Sequence, residues 1–213
     1  MQCKICNNAT INIEDERNNW EFFHCQECEF IFKNPAAHVD DAKELSQYQN
    51  HNNTIESRGY VEMFEKFMRT TFEPYLNSIQ DVLEFGSGPG PVLAELLRRK
   101  GLKVDIYDKY FAPKKVYDAK TYDLITSTEV LEHIDNPKEI FDFFAKHLKV
   151  GAYLSIMTQF HTNDAKEFSK WWYKNDPTHI CFFTPHTFEV LAKMSGFEVL
   201  KHDGVKSVLL RKL

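Results

Sequence analysis

The sequence predicts a doubly wound α/β fold with a mostly parallel sheet and an antiparallel last strand, preceded by a small cysteine-rich module. Three observations lead to this prediction. Apolar strand patterns alternate with helical patterns from residue 81 to the end of the chain. A glycine-rich turn follows the first of these strands at Gly86. Four of the five cysteines lie before residue 29, which separates the module from the sheet.

Composition places the chain among ordinary globular proteins. Of its 213 residues, 43% are hydrophobic and 27% are charged, which is enough for a self-supporting core. The net charge of -5 argues against broad, charge-driven nucleic-acid binding. No apolar run reaches the ~18 residues of a membrane helix, and residues 1–10 lack an apolar signal core. We therefore expect a cytoplasmic protein with no membrane partner.

The N-terminal module carries two cysteine pairs, each with the spacing C-x-x-C: Cys3, Cys6, Cys25 and Cys28. Two such pairs joined by a short hairpin suit tetrahedral Zn²⁺. Because four thiolates close the coordination sphere, the ion would be structural and would help the module fold. The sequence therefore predicts a zinc ribbon over residues 1–35. Three roles are open for it: covering an active site, recruiting an acceptor, or mediating dimerisation. Cys181 is predicted to be a small buried residue.

Residues 36–80 are predicted to connect the ribbon to the sheet domain, which occupies residues 81–213. The connection begins as a polar, irregular or partly helical stretch, and apolar residues three and four apart then indicate an amphipathic helix over residues 60–76. Predicted strands of the sheet are 81–85, 104–107, 122–126, 152–158, 197–202 and 205–210. Predicted helices are 91–100, 137–148 and 185–195.

Several residues mark the ends of these elements. Thr184 suits the N-cap of the last helix, while Gly151 and Gly196 are predicted to follow helices as C-terminal glycines. Asp203 and Gly204 form a hairpin signal between the last two strands. The final strand should therefore run antiparallel to its neighbour.

The glycine turn has the pattern Glu84-x-Gly86-x-Gly88-x-Gly90 and lies between a strand and a helix. Glycine lets backbone approach a ligand closely and adopts positive φ without strain. Asp108 ends the next strand about 20 residues later, where a carboxylate can accept hydrogen bonds from ribose hydroxyls. A nucleoside-containing ligand is therefore predicted. The third glycine lies one place early for the dinucleotide pattern, which makes NAD the less favoured ligand.

This arrangement resembles the first motif of the class I S-adenosylmethionine-dependent methyltransferases, which have a Rossmann-like fold. The resemblance spans about residue 60 to the C-terminus. It implies that the glycine loop and Glu84 hold the methionine part of S-adenosylmethionine and that Asp108 binds its ribose. The cofactor-binding residues implied are Glu84, Gly86, Ser87, Gly88, Gly90, Asp108, Ser127 and Glu129.

The chain departs from that family after Asp108. Residues 109–121 are too few for a full helix and another strand, so the usual second crossover is shortened. Phe111, Ala112 and Pro113 could replace the missing adenine pocket by packing on the ring, or could form an ordinary surface loop. A further likeness to an uncharacterised bacterial branch of the family includes Tyr48, His51, Asn52, Gly59 and Tyr60.

A second motif, Glu129-x-x-Glu132-His133, follows the strand at residue 122. If this stretch is helical, the three side chains lie on one face at the carboxyl edge of the sheet. The pattern resembles ubiquinone-pathway O-methyltransferases and small-RNA 3′-terminal 2′-O-methyltransferases. In the latter, a distant histidine completes a metal site, and His179 is the matching candidate. The resemblance thus implies a second divalent site for Mg²⁺ or Mn²⁺ at Glu129, Glu132, His133 and His179.

Other roles are open for these residues. Glu129 and its neighbours could shape the cofactor wall, and His179 could act as a general base or position the acceptor. The catalytic candidates are His179, Glu132 and His133. Trp171, Trp172 and Tyr173 could form an aromatic wall for a planar acceptor, stack a nucleobase, or pack a lid.

The function expected from the resemblance is O-methylation of a small-molecule hydroxyl. RNA is the alternative acceptor. A hypothesis from another class is a zinc-ribbon adaptor whose methyltransferase domain is inactive, which the shortened adenine region favours and the glycine loop with Asp108 opposes.

Overall fold

The computed structural model describes residues 1–15, 17–49 and 54–213; His51 and Asn52 lie outside them. The strands, in chain order, are β1 (Ile11–Asp15), β2 (Trp20–His24), β3 (Ile31–Lys33), β4 (Asp81–Phe85), β5 (Lys103–Tyr107), β6 (Tyr122–Thr128), β7 (Leu148–Met157), β8 (Cys181–Phe182), β9 (Phe197–His202) and β10 (Ser207–Lys212). The α-helices are α1 (Asp41–Gln49), α2 (Arg58–Thr70), α3 (Val92–Arg99), α4 (Pro137–His147), α5 (Ala165–Lys170) and α6 (Pro185–Ser195). Short 3-10 helices occupy Pro35–Ala37, Glu73–Ser78, Leu131–His133 and Trp172–Asn175.

The main sheet has six strands in the order β5-β4-β6-β7-β10-β9. β4 pairs in parallel with β5 and β6, and β6 pairs in parallel with β7. The last strand is antiparallel, as predicted, and it lies between β7 and β9. Because parallel strands end at the same edge, the glycine turn after β4, Asp108 after β5 and the acidic motif after β6 lie along one edge of the sheet.

Local sequence explains why these elements form. β4 is almost wholly buried, with Val82 and Leu83 inaccessible to solvent, as expected for a strand covered on both faces. Thr184 caps α6 by accepting the N–H of Thr187 in a capping box, and Gly196 ends the helix with φ of 74°. The roles predicted for Thr184 and Gly196 are confirmed.

Several boundaries differ from the prediction. The amphipathic helix ends at Thr70, whereas the prediction placed its end at residue 76. A separate 3-10 helix begins at Glu73, and its second residue is a proline. Gly151 lies within β7, three residues beyond the start of that strand. β10 begins at Ser207 because the Asp203 carboxylate accepts three backbone N–H groups, those of residues 205 to 207, and this extends the turn.

The shortened crossover is confirmed. Residues 109–121, all of them described, contain no helix and no strand beyond the isolated bridge between Asp108 and Ala112. β5 is consequently an edge strand.

The cysteine module forms a second sheet in the order β1-β2-β3-β8. Its fourth strand, β8, comes from the distant segment before α6 and pairs Ile31 with Phe182 and Phe32 with Cys181. The module therefore shares a sheet with the C-terminal part of the chain. Among the described helices, none is long and apolar enough to cross a membrane.

Candidate active site

Two glycines of the loop after β4 have positive φ for different reasons. Gly86 has φ of 81°, and a Cβ on it would lie 2.1 Å from Val130 Cγ2, so that only glycine fits. Gly88 has φ of 63°, but a Cβ there would meet no described heavy atom within 4 Å apart from its chain neighbours. Packing therefore requires the first glycine, whereas the second borders open space that a ligand could enter. Gly90 accepts the N–H of Val92 at the start of α3.

Asp108 is fixed at the end of β5 by backbone donors. Its Oδ2 accepts the Gly88 N–H at 2.8 Å, and its Oδ1 accepts the N–H groups of Tyr110 and Phe111 at 2.9 and 3.0 Å. A carboxylate has about four acceptor positions, so capacity remains for a hydroxyl. The bond to Gly88 joins the predicted ribose acid directly to the predicted cofactor loop.

Buried polar atoms without partners line the same edge of the sheet. Glu84 is 3% exposed, and its Oε2, like the hydroxyls of Ser87 and Ser127, has no hydrogen-bond partner among the described residues. Burial raises the pKa of the Glu84 carboxyl to about 8. Buried polar groups are costly when unpaired. The donors and acceptors thus fit a polar ligand beside the glycine loop.

Replacement of Glu84 by glutamine is expected to stabilise the ligand-free protein above neutral pH. The carboxyl titrates near 4.5 when unfolded and near 8 when folded. Between these values only the unfolded state ionises, so the wild type loses stability as pH rises from about 4.5 to 8. At about 1.4 kcal/mol per pKa unit, the loss is at most on the order of 5 kcal/mol. Glutamine does not titrate, so the variant does not lose stability in this way as the pH rises.

Thermal unfolding at pH 5.5 and pH 8.5 measures this effect. We expect the melting temperature of Glu84→Gln to exceed that of the wild type by roughly 5 °C or more at pH 8.5, with a smaller difference at pH 5.5. Glu14→Gln, which changes an exposed carboxylate on β1, is the matched control. Parallel curves of melting temperature against pH for wild type and Glu84→Gln would contradict the assignment.

The acidic motif after β6 differs from the predicted helical turn. A 3-10 helix covers Leu131–His133, and Glu129 lies before it with φ of 54°, a left-handed conformation that side chains rarely adopt. Glu129 and Glu132 therefore do not share a helical face. Instead, the Tyr173 hydroxyl contacts both carboxylates, donating to Glu129 Oε2 at 3.1 Å and to Glu132 Oε1.

Burial dominates the electrostatics of this acidic pair. Burial, followed by the neighbouring Glu132 charge, raises the pKa of Glu129 to about 8. Burial also raises the pKa of Glu132, which is fully buried. The Oε2 atom of Glu132 has no hydrogen-bond partner among the described residues. One carboxylate oxygen thus remains free to act on a ligand.

The two predicted histidines come together beside Glu132. His133 Nδ1 lies 3.0 Å from the Thr178 carbonyl, and His179 Nδ1 lies 2.7 Å from the Tyr173 carbonyl. Since a carbonyl only accepts, each Nδ1 carries the proton, and each neutral ring keeps its lone pair on Nε2. Ligand atoms of Glu132, His133 and His179 lie within 4.8 Å of one another.

Burial keeps both imidazoles neutral. It lowers the pKa of His133, and it lowers the pKa of His179 to about 4 with a further contribution from His133. Glu129 is outside the three-residue group and is connected to it through Tyr173. Three of the four predicted divalent-site residues therefore converge. Val130 lies beside Gly86, so this group is adjacent to the glycine loop.

Helix α1 covers the site in a way that sequence patterns did not indicate. The Tyr48 ring lies 5.2 Å from the His133 ring, and its hydroxyl donates to Glu44 at 2.9 Å. Glu44 also accepts from Lys109 at 3.2 Å and from the Tyr110 hydroxyl. These contacts tie α1 to the turn after Asp108. In the sequence, Tyr48 was singled out only by the likeness to the uncharacterised bacterial branch of the family.

The aromatic segment before His179 divides between surface and core. Trp172 is 67% exposed, Trp171 is half-buried, and Tyr173 is buried against the acidic pair. Phe111 is half-buried in the turn that the Asp108 to Ala112 bridge closes. Tyr173 thus contributes a hydroxyl to the site, beyond the aromatic surface that the sequence suggested.

The four N-terminal cysteines converge as predicted. The Sγ atoms lie 3.5 Å apart for Cys3 and Cys28, 3.4 Å for Cys6 and Cys25, and 3.6 Å for Cys6 and Cys28. Zn–S bonds of about 2.3 Å in a tetrahedron place sulfurs about 3.8 Å apart. The cluster fits a zinc ribbon. Cys181 is buried outside it and donates to the Ile134 carbonyl at 3.0 Å.

Similarity to a known protein family covers most of the chain. A family model described as a methyltransferase domain matches residues 55–202, more than half of the chain. No curated protein sequence matches the chain.

Solved structures of methyltransferases share the fold. The mitomycin 7-O-methyltransferase MmcR has a TM-score of 0.56 at 15% identity, over 82% of this chain and 59% of that one. CalO1 is a methyltransferase in calicheamicin biosynthesis that was solved with S-adenosylhomocysteine bound. Its TM-score is 0.55 at 15% sequence identity, and the match covers 81% of this chain and 59% of CalO1. The N-methyltransferase NodS from Bradyrhizobium japonicum WM9 was solved in complex with S-adenosyl-l-homocysteine. Its TM-score is 0.52 at 11% sequence identity, and the match covers 80% of this chain and 97% of NodS. The chain thus spans about three fifths of MmcR and CalO1. On this family match the chain belongs to the methyltransferase domain family, and it has the fold of these solved methyltransferases.

Proposed function

We propose that this methyltransferase transfers the methyl group of S-adenosylmethionine to a hydroxyl group of a small molecule. The observation that carries the proposal is the neutral His179 imidazole beside the buried Glu132 carboxylate, next to the glycine loop. A neutral imidazole with a free nitrogen lone pair is suited to accept a hydroxyl proton at physiological pH. The O-methyltransferase activity named for MmcR supports the same acceptor chemistry.

The cofactor would lie along the carboxyl edge of β4, β5 and β6. The open backbone at Gly88 allows close approach of the methionine part, with Glu84, Ser87 and Gly90 beside it. Asp108 would accept a ribose hydroxyl at its remaining acceptor position. Ser127 and Glu129, which follow on β6 and the next turn, would complete the wall. When bound, the sulfonium supplies an electrophilic methyl group.

On the acceptor side, the chain's own residues prepare the hydroxyl. His179 Nε2 accepts its proton, and the oxygen attacks the methyl carbon as the carbon–sulfur bond breaks. The Tyr173 carbonyl holds the imidazole in the required tautomer through Nδ1–H. Because methyl transfer depends mainly on alignment, such positioning supplies much of the rate. Trp172 would offer an exposed aromatic face near the entrance for the acceptor.

The alternative role of His179 is metal ligation: in place of accepting the proton, its Nε2 would join Glu132 and His133 in holding a divalent cation such as Mg²⁺ or Mn²⁺. The donor set of two neutral imidazoles and one carboxylate with a free oxygen fits such an ion. Bound there, it would orient the acceptor hydroxyl and favour its deprotonation. The four cysteines would hold a structural Zn²⁺, since their sulfur spacing matches a closed tetrahedral site.

Substitution of Gly88 by alanine tests cofactor binding against a matched control. Gly88 and Gly204 both have positive φ, 63° and 74°, and both have open space at the Cβ position. Alanine at either position should therefore cost about 1–2 kcal/mol of stability through backbone strain. Only Gly88→Ala should lower the affinity for S-adenosylmethionine, by about 10- to 100-fold, because only its methyl group would meet the cofactor.

Calorimetric titration with S-adenosylmethionine and S-adenosylhomocysteine measures both affinities. Incubation of the wild type with methyl-labelled cofactor and a panel of small phenols, alcohols and a short RNA then identifies the acceptor by mass spectrometry. Label on a small-molecule oxygen supports the proposal. Failure of the wild type to bind either nucleoside would overturn the enzyme assignment, and label on the RNA alone would overturn the acceptor assignment.

A further inference from the structure

The segment from Tyr173 to His179 carries two groups of the proposed site and lies against the cysteine module. We propose that this module positions the active-site segment, through Lys33 at one end and the Asp15–Lys174 ion pair at the other. The importance of this segment for turnover rests on the proposed function, whereas its attachment to the module does not. The module would thereby act as a positioning element of the enzyme.

Lys33 holds the end of the segment that carries His179. Its side chain is fully buried, and Nζ donates to the Pro177 carbonyl at 3.0 Å. Nζ also lies 3.8 Å from the centroid of the Trp20 ring. The Lys33 backbone N–H donates to the Ile180 carbonyl at 2.9 Å. Lys33 thus contacts the chain on both sides of His179.

The Asp15–Lys174 pair holds the other end, next to Tyr173. Lys174 Nζ lies 2.7 Å from Asp15 Oδ2, with the two residues 1% and 4% exposed. Asn18 of the same ribbon hairpin donates to Asn175 Oδ1 at 3.1 Å. These contacts fix the backbone around Tyr173, whose carbonyl orients His179 and whose hydroxyl contacts both acids.

The energetics indicate that these buried charges fix the position of the 173–180 segment and add little to the free energy of unfolding. Burial lowers the pKa of Lys33 to about 8, which is a cost to folding of the charged form. Replacing a buried ion pair by apolar side chains of similar size is often neutral or stabilising. Such charges nevertheless fix one arrangement, because their hydrogen bonds are directional. Here the bond from Lys33 Nζ to Pro177 and the ion pair of Asp15 with Lys174 both join the cysteine module to the 173–180 segment.

The test compares Lys33→Met with wild type in the full chain by hydrogen–deuterium exchange. The amides of Thr178, His179 and Ile180 are bonded to Asp176 and to the Glu132 carbonyl. We expect them to exchange at least about 10-fold faster in Lys33→Met, while the melting temperature stays within a few degrees of wild type. The affinity for S-adenosylmethionine should not change, since the glycine loop is untouched. Lys103→Met, at an exposed position on β5, is the control.

A second variant, Asp15→Leu with Lys174→Met, removes the ion pair without leaving one charge unpaired. It should accelerate exchange in residues 173–176 in the same way. Unchanged exchange of the 173–180 segment in both variants overturns the inference, whatever their activity. A wild type that binds no S-adenosylmethionine overturns the proposed function instead, and leaves the exchange result valid. Where an acceptor has been found, both variants should lower kcat with little change in cofactor affinity.

Discussion

Replacement of His179 by alanine is expected to lower the rate of methyl transfer by about 10²- to 10⁴-fold, the usual contribution of a positioned acid or base. His179 offers its free Nε2 beside Glu132, and the Tyr173 carbonyl fixes its tautomer. Burial, which lowers the pKa of His179 to about 4, keeps this nitrogen unprotonated at neutral pH. Single-turnover transfer of labelled methyl to the identified acceptor measures the loss.

Cofactor binding should separate this effect from general damage. The affinity of His179→Ala for S-adenosylmethionine is expected to stay within about 2-fold of wild type, because the glycine loop and Asp108 are not altered. His202→Ala, which removes an exposed imidazole on β9, should transfer methyl groups at the wild-type rate. A His179→Ala enzyme that transfers as fast as wild type would remove this residue from the mechanism.

Metal dependence distinguishes the two roles considered for His179. If a divalent cation is held by Glu132, His133 and His179, then Mg²⁺ or Mn²⁺ should stimulate the wild type, and alanine at His133 or His179 should abolish that stimulation. If His179 is the base alone, added Mg²⁺ or Mn²⁺ should leave the wild-type rate unchanged, and His133→Ala should be much less impaired than His179→Ala. The assay is the same transfer reaction with and without added Mg²⁺ or Mn²⁺, without a chelator that would also remove zinc from the four cysteines.

The elements that the sequence predicted well are those in which neighbours along the chain determine the structure. The strand before Gly86 is a short apolar run bounded by glycine, and Thr184 begins α6 with a proline and a capping partner three residues on. The absence of a helix and strand in 109–121 followed from chain length alone. Convergence of the cysteines also followed from spacing, since C-x-x-C pairs close locally.

The parts that the sequence did not predict depend on contacts between distant residues. Tyr173 contacts Glu132 across 41 positions, and Lys174 pairs with Asp15 across 159. The periodicity of apolar residues along the chain does not predict contacts between such distant residues. The left-handed conformation of Glu129 was likewise not predicted, because residues other than glycine, asparagine, aspartate and histidine rarely adopt it. Departures from local preference of this kind concentrate at functional sites, where surrounding structure stabilises them.

Replacement of Cys28 by serine is expected to abolish zinc binding and to unfold the cysteine module. The Cys28 Sγ lies within 3.6 Å of the Sγ atoms of both Cys3 and Cys6, so its loss opens the coordination sphere. Structural zinc contributes about 10–16 kcal/mol of apparent binding energy in small domains. Because β3 pairs with β8, loss of the module should also loosen the segment that carries His179. The melting temperature should fall by roughly 10 °C or more.

Cys181→Ser provides the matched control for this prediction. Cys181 is as buried as Cys28 but lies outside the cluster, and a serine hydroxyl can still donate to the Ile134 carbonyl. Elemental analysis of purified protein should therefore find about one zinc per chain in wild type and Cys181→Ser, and almost none in Cys28→Ser. Equal zinc content in the two variants would show that the four N-terminal thiols do not form the site. The control matters because a buried cysteine replaced by serine loses some packing in either case, and only the loss of metal distinguishes a ligand from a core residue.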